Sequence, residues 1–209
     1  IDWSGGSVTI SNDGERFAVG ATGNDSRDGS HLFFNNGHVR VYEHDGNDWA
    51  QKWSDIDGEG TGDFSGGSID MNGDGTKVII GAENNDASTM VDAGHARIYG
   101  LGDNGWAQIG DDLDGEAEGN LFGCSVGMSD NGKRVVVGAE RFGSNTGAVY
   151  IYDLVETPIT SAPTLSAAPS TEFVKDRRTP TSQCTRHGEG RFSFQVGLCV
   201  SWLVWYWVI

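Results

Sequence analysis

SGGSIDMNGDGTKVIIGA, residues 65–82, is the stretch on which the fold turns. Its centre, DMNGDGTK (70–77), sets acidic or amide oxygens at alternate positions ahead of a glycine, as the first half of a calcium loop does. The same residues also spell an Asp-Gly hairpin turn between apolar runs. The chain itself separates the two readings, because SGGSVTISNDGERFAVGA (4–21) and FGCSVGMSDNGKRVVVGA (122–139) align with the stretch. Opposite Asp70 stand Thr9 and Gly127, and opposite Asn72 stand Ser11 and Ser129. What recurs is Asp13-Gly14, Asp74-Gly75 and Asn131-Gly132, the pair that a turn with positive φ requires. The ninth position of the would-be loop is Val78 and the twelfth is Gly81, neither of them a ligand. A hairpin turn is expected here and no cofactor, with calcium as the alternative.

Two further segments repeat. GHVRVY (37–42), GHARIY (94–99) and GAVYIY (147–152) align, as do DWAQKWSDIDGE (48–59) and GWAQIGDDLDGE (105–116). From Ser7 to Ser68 the period is 61 residues and from Ser68 to Ser125 it is 57. The difference lies in one segment, since Ala21 to Tyr42, Ala82 to Tyr99 and Ala139 to Tyr152 span 21, 17 and 13 residues. Self-similarity at such a period marks a repeat architecture.

Each unit reads as four short strands. The first leads into the Gly turn; the second, FAV, VII or VVV followed by Gly-Ala, is apolar at consecutive positions and suits a strand covered on both faces. The third, HVRVY in the first unit, alternates, and a Trp-led fourth closes the unit. No segment carries a capped helical period. The expected fold is all-β, a β-propeller fragment of about three four-stranded antiparallel blades followed by a low-complexity stalk and an apolar tail. A β-solenoid is the competing architecture.

The pattern resembles the FG-GAP repeat of the integrin α-subunit β-propeller. That family opens a blade with Phe-Gly, matched by Phe122-Gly123, where the earlier units have Ser4-Gly5 and Ser65-Gly66. Its Gly-Ala-Pro motif is matched, without the proline, by Gly20-Ala21, Gly81-Ala82 and Gly138-Ala139. The resemblance covers residues 1–155 and implies blades of a closed ring of which three cannot make a whole, so a fragment is expected. It also implies a calcium loop of the form D-x-[DN]-x-D-G-x-x-D in certain blades; Asp70, Asn72, Asp74 and Gly75 match it, and Val78 does not.

Formal net charge is −16, yet only four of the 30 acidic and five of the 14 basic residues lie in 156–209. The repeats are therefore strongly acidic, which disfavours nucleic acid as a partner. GCSVG (123–127) matches a serine-hydrolase elbow, but Ser125 holds the strand position of Ser7 and Ser68. GLGDNG (100–105) matches a dinucleotide fingerprint but links two strands. His38 and His95, equivalent in the repeat, are expected to face outward with a structural role. The acidic connections 55–63 and 111–120 are expected to be solvated, with a hard-cation site as the alternative.

The variable segments 22–37, 83–94 and 140–147 are the functional candidates, because rigid strands holding loops of differing length are how scaffolds present binding surfaces. The residues expected to bind are Asn24, Asp25, Arg27, Asp28, Phe33, Phe34, Asn84, Asn85, Asp86, Asp92, Arg141 and Phe142. Asn24-Asp25-Ser26 is also a glycosylation sequon. The domains expected are 1–155, with units at about 1–62, 63–119 and 120–155; a Ser/Thr/Pro-rich then basic linker over 156–191, expected to be disordered; and an apolar aromatic tail, 192–209. That tail reads as a membrane anchor, a hydrophobic plug or a mis-predicted terminus. The functional expectation is a non-catalytic cell-surface or secreted module that binds protein or glycan partners in adhesion or recognition. The alternatives are an accessory propeller domain of a larger extracellular enzyme and a purely structural array.

Overall fold

The computed structural model describes residues 2–25, 34–86, 90–156 and 171–176. They form three antiparallel sheets in chain order, and the class is all-β. The first sheet comprises β1 (Ser4–Ile10), β2 (Arg16–Ala21), β3 (His38–His44), β4 (Trp49–Gln51) and β5 (Ile56–Asp57). The second comprises β6 (Ser68–Met71), β7 (Lys77–Ala82), β8 (His95–Gly102), β9 (Gly105–Gln108) and β10 (Leu113–Asp114). The third comprises β11 (Phe122–Met128), β12 (Arg134–Ala139), β13 (Ala148–Glu156) and β14 (Thr171–Asp176).

Register repeats with the sequence. Ser7 faces Gly20, Ser68 faces Gly81 and Ser125 faces Gly138, and Ala21, Ala82 and Ala139 close the opposite ladder on His38, His95 and Ala148. Three departures from the expected plan appear. The fourth strand is two short pieces, β4 and β5 or β9 and β10, each pairing with the third strand. Residues 171–176, inside the stretch expected to be a disordered linker, pair with β13 as the outer strand of the third sheet. One turn of helix, α1 (Phe142–Asn145), stands in the third variable segment; positive φ at Gly143 and Ser144 breaks its regularity. The stalk residues 157–170 and the tail 192–209 lie outside the described residues, among which no helix is long and apolar enough to cross a membrane.

DMNGDGTK is a turn in the structure. Asp74 Oδ1 accepts from Thr76 N–H at 3.0 Å and from Asn72 Nδ2 at 2.7 Å, and Gly75 takes φ +67°. Asp13 and Asn131 accept equivalent bonds from Glu15 and Lys133 N–H, with Gly14 and Gly132 also at positive φ. Asp70 stands apart from the turn: its carboxylate accepts from Thr9 Oγ1 in the first sheet (3.1 Å) and from Met128 N–H in the third (2.7 Å). It bolts three sheets together.

The sheets stack face to face. Ala18, Val39 and Val41 pack on Ile69, Met71, Val78 and Ile80 across the first junction. Ile79, Ala96 and Ile98 pack on Phe122, Val135, Val137, Tyr150 and Tyr152 across the second. Among the described residues only the middle sheet is covered on both sides, so Val78, Ile79 and Ile80 are all buried, while Val136 at the position of Ile79 is 38% exposed. Each fully buried side chain of this size contributes about 1.5–3 kcal/mol of transfer free energy.

Candidate functional site: the loop-bearing end

Antiparallel pairing puts the three hairpin turns at Gly14, Gly75 and Gly132 at one end of the sheets and the roots of the variable segments at the other, above the rungs Ala21–His38, Ala82–His95 and Ala139–Ala148. The acidic connections between sheets reach the same end: Gly58 N–H bonds to Gly37 O at 2.9 Å and Gly115 N–H to Gly94 O at 2.8 Å. Carboxylates thus crowd the end that carries the loops.

The loop roots are built alike. Asp25 Oδ1 accepts from Asn35 N–H (2.9 Å) and Asp86 Oδ1 from Asp92 N–H (3.0 Å), with Asn35 and Asp92 both at positive φ. The carbonyls of Asn24 and Asn85 accept from Gly37 and Gly94 N–H. Asn84 Nδ2 donates to Asp92 Oδ1 at 3.2 Å, and Asn85 Nδ2 donates to buried Asp63 at 2.9 Å. Of the residues expected to contact a ligand, Asn24, Asp25, Asn84, Asn85, Asp86 and Asp92 therefore hold the loops in shape. Phe34 is 54% exposed beside Asn35 at the root of the first loop, where its carbonyl accepts from Gly62 N–H at 2.9 Å. Arg141 is exposed and lies 3.9 Å from Glu140. Phe142 turns back, edge-on to Tyr150 with ring centroids 6.2 Å apart. Arg27, Asp28 and Phe33 lie outside the described residues.

Beneath the loop roots sit two equivalent charged centres. Arg40 holds Asp55 through three contacts of 2.8–3.1 Å, and His38 Nδ1 is 3.8 Å from the same carboxylate. Arg97 lies 3.2 Å from Asp112 Oδ1, and His95 Nδ1 is 3.9 Å from Asp112 Oδ2. Glu59, reaching across from the preceding connection, pairs with Arg97 as well. The histidines point inward and are buried, contrary to the outward orientation expected of them, because β5 and β10 pair against the start of the third strand and cover it. The signal was present in the sequence, since the 15-residue step from Arg40 to Asp55 recurs from Arg97 to Asp112. In the third sheet Ala148 and Tyr150 replace His and Arg, and the centre is lost.

Burial lowers the pKa of both imidazoles, at His38 with help from Arg40 and at His95 against the pull of Asp112. Asp55 is held low, chiefly by its hydrogen bonds from Arg40. Asp114 is raised by burial and by Asp112, and Glu83 by burial and by Glu140. The groups His38–Asp55–Asp57 and Glu59–His95–Asp112 each bring three ligand atoms within 4.8 Å of one another. In both, a guanidinium already pairs with one of the carboxylates, Arg40 with Asp55 and Arg97 with Asp112, so arginine is the cation the structure places there.

A cleft of about 310 Å³ opens between the outer strands of the first two sheets, lined by Trp53, Asp55, Asp57, Tyr99, Asn104 and Trp106. Trp53 and Trp106 meet edge to face at 6.2 Å, and the buried Trp106 Nε1 has no acceptor among the described residues. Ser125 lies within β11 and GLGDNG forms the end of β8 with its turn into β9, so neither supplies the helix terminus its motif needs. Compared with known proteins, the chain matches no protein-family model and no curated protein.

Proposed function

We propose that this chain is a non-catalytic recognition module, part of a β-propeller of the FG-GAP type, that binds a protein or glycan partner through the loop-bearing end of its sheets. One observation carries the reading: all length variation between units falls in the segment joining second to third strand, and the three copies of that segment share one end. Loop roots already fixed by Asp25 and Asp86 lower the ordering cost of binding. Exposed Phe34 and Arg141 are of the residue types that anchor interfaces. The concentration of carboxylates favours a partner with cationic or hydroxyl-rich surface over a polyanion. An extracellular or cell-surface location goes with this reading, with 192–209 as the tether.

Glycan and protein arrays probed with the whole chain test it. A variant in which residues 24–35 are replaced by the third unit's GSNT (143–146) should keep its melting temperature and lose the binding. Unchanged binding by that variant overturns the loop assignment. Vesicle flotation of the chain with and without 192–209 tests the tether, which equal partitioning refutes.

A further inference from the structure

We infer that the two outer sheet faces of this chain are complementary and dock head to tail, the first sheet of one copy covering the third sheet of another. The chain makes this junction twice within itself, and both junctions share their parts. A serine in the first strand donates across to a glycine carbonyl of the next sheet: Ser7 to Gly66 at 2.6 Å and Ser68 to Gly123 at 2.7 Å. A hairpin-tip amide does the same: Asn12 N–H to Gly73 O and Gly73 N–H to Asp130 O, both 2.8 Å. Gly20 and Gly81 leave room for the incoming carbonyl, with which a Cβ at either position would collide. Apolar side chains of the two facing sheets fill the rest.

The outgoing face of the third sheet carries the first half of a further such junction. Ser125, the Asp130 amide and Gly138 stand at the corresponding positions, and a Cβ on Gly138 would meet Ser125 Oγ and no carbonyl of a further sheet. Val136 and Val149, at the positions of fully buried Ile79 and Ala96, are 38% and 45% exposed. The incoming face of the first sheet carries the other half. Gly5 has the positive φ of Gly66 and Gly123, in a bulge at Ser4/Ser7 matching that at Phe122/Ser125. Val8 and Ile10 are 67% and 59% exposed, where Ile69 and Met71, their equivalents, are buried.

A second copy is the occupant these observations favour. It offers the bulged glycine carbonyl, the hairpin-tip carbonyl of Asn12 and the alternating Val8 and Ile10 in one rigid piece. The segment 192–209 offers apolar bulk without an Asp-Gly or Asn-Gly tip. Like charge on the two copies opposes association, so the contact should tighten as salt screens it.

Sedimentation of the whole chain over a range of concentrations and at two salt concentrations tests the inference. Reversible association stronger at high salt is expected. Val8→Asp and Val136→Asp, each placing a charge on one outer face only, should each raise the dissociation constant at least tenfold with little change in melting temperature. Mixed together, the two variants should form a complex, since each retains the face the other lacks; Gly138→Ala serves in place of Val136→Asp should that variant not fold. A chain that stays monomeric throughout, or variants that associate like the wild type, or a mixture that does not combine, overturns the inference. If deleting 192–209 is what allows association, the tail is the occupant and the second copy is not.

Discussion

Gly81 and Gly138 hold the same position in successive units, yet a methyl group would be received differently at each. At Gly81 it would strike the backbone carbonyl of Gly123, which cannot move without parting two sheets; at Gly138 it meets only the Ser125 hydroxyl, which can rotate. Gly81→Ala should therefore cost about 2–3 kcal/mol and Gly138→Ala less than about 1 kcal/mol, measured by urea unfolding. Arg97 and Arg40 make a similar pair. Arg97 is buried while Asp112 and Glu59 reach solvent, so Arg97→Met should cost about 2 kcal/mol, through lost pairing and packing rather than a stranded buried charge. Arg40 is about a third exposed, and Arg40→Met should cost only about 1 kcal/mol. The histidines add a pH dependence. Burial keeps His38 and His95 below the ordinary value of about 6.5, so the unfolded chain takes up protons that the folded chain refuses. Their contribution is complete above that pH and lost as pH falls through it. The melting temperature should drop from pH 7 to pH 5, and drop less in the His38→Gln, His95→Gln variant. The comparison separates them from Glu83 and Asp114, whose carboxyls burial raises.

Among elements, β6 carries the most connections through one residue. Asp70→Ala removes acceptors from Thr9 in the first sheet and Met128 in the third, and should cost about 2 kcal/mol, whereas Thr9→Val should cost about 1 kcal/mol or less. The sequence displayed Asp70 as a possible ligand because its chemistry was visible and its neighbours were not. Local rules revealed what depends on local rules: the three turns follow from Asp-Gly and Asn-Gly, and the paired strands from apolar runs of fixed spacing. Long-range cover stayed hidden. Alternation in HVRVY separates two faces of β3 without telling which one is covered, so nothing local shows that His38 is buried. The break between β4 and β5 and the pairing of β14 leave no strong pattern either, since Thr171–Asp176 offers only Phe173 and Val174 as apolar residues and these do not alternate. Of the loop residues, chemistry alone could not separate Asp25 and Asp86, which accept backbone bonds, from Phe34 and Arg141, which face solvent.

For the molecule as a whole, the described sheets pack on their neighbours in chain order, so stability is close to a sum of sheet and junction contributions. Native-state hydrogen exchange should protect β7 most, with β1 and β13 exchanging faster, because β7 lies inside the middle sheet, which among the described residues is the one with sheets on both faces; equal protection across the three sheets would contradict this. Lengthening a closed loop costs little, about 0.6 kcal/mol per doubling, so replacing residues 26–33 by a short Gly-Ser link should leave urea stability within about 1 kcal/mol. The hairpin-tip bonds have one further consequence. They run in a single sense, from Asn12 to Gly73 and from Gly73 to Asp130. Successive amide dipoles therefore point the same way across the stack and polarise one another. A mirror-fashion pairing, with two third sheets laid tip against tip, would confront N–H with N–H. The molecule thus has a grain, and whatever lies against its third sheet must follow it.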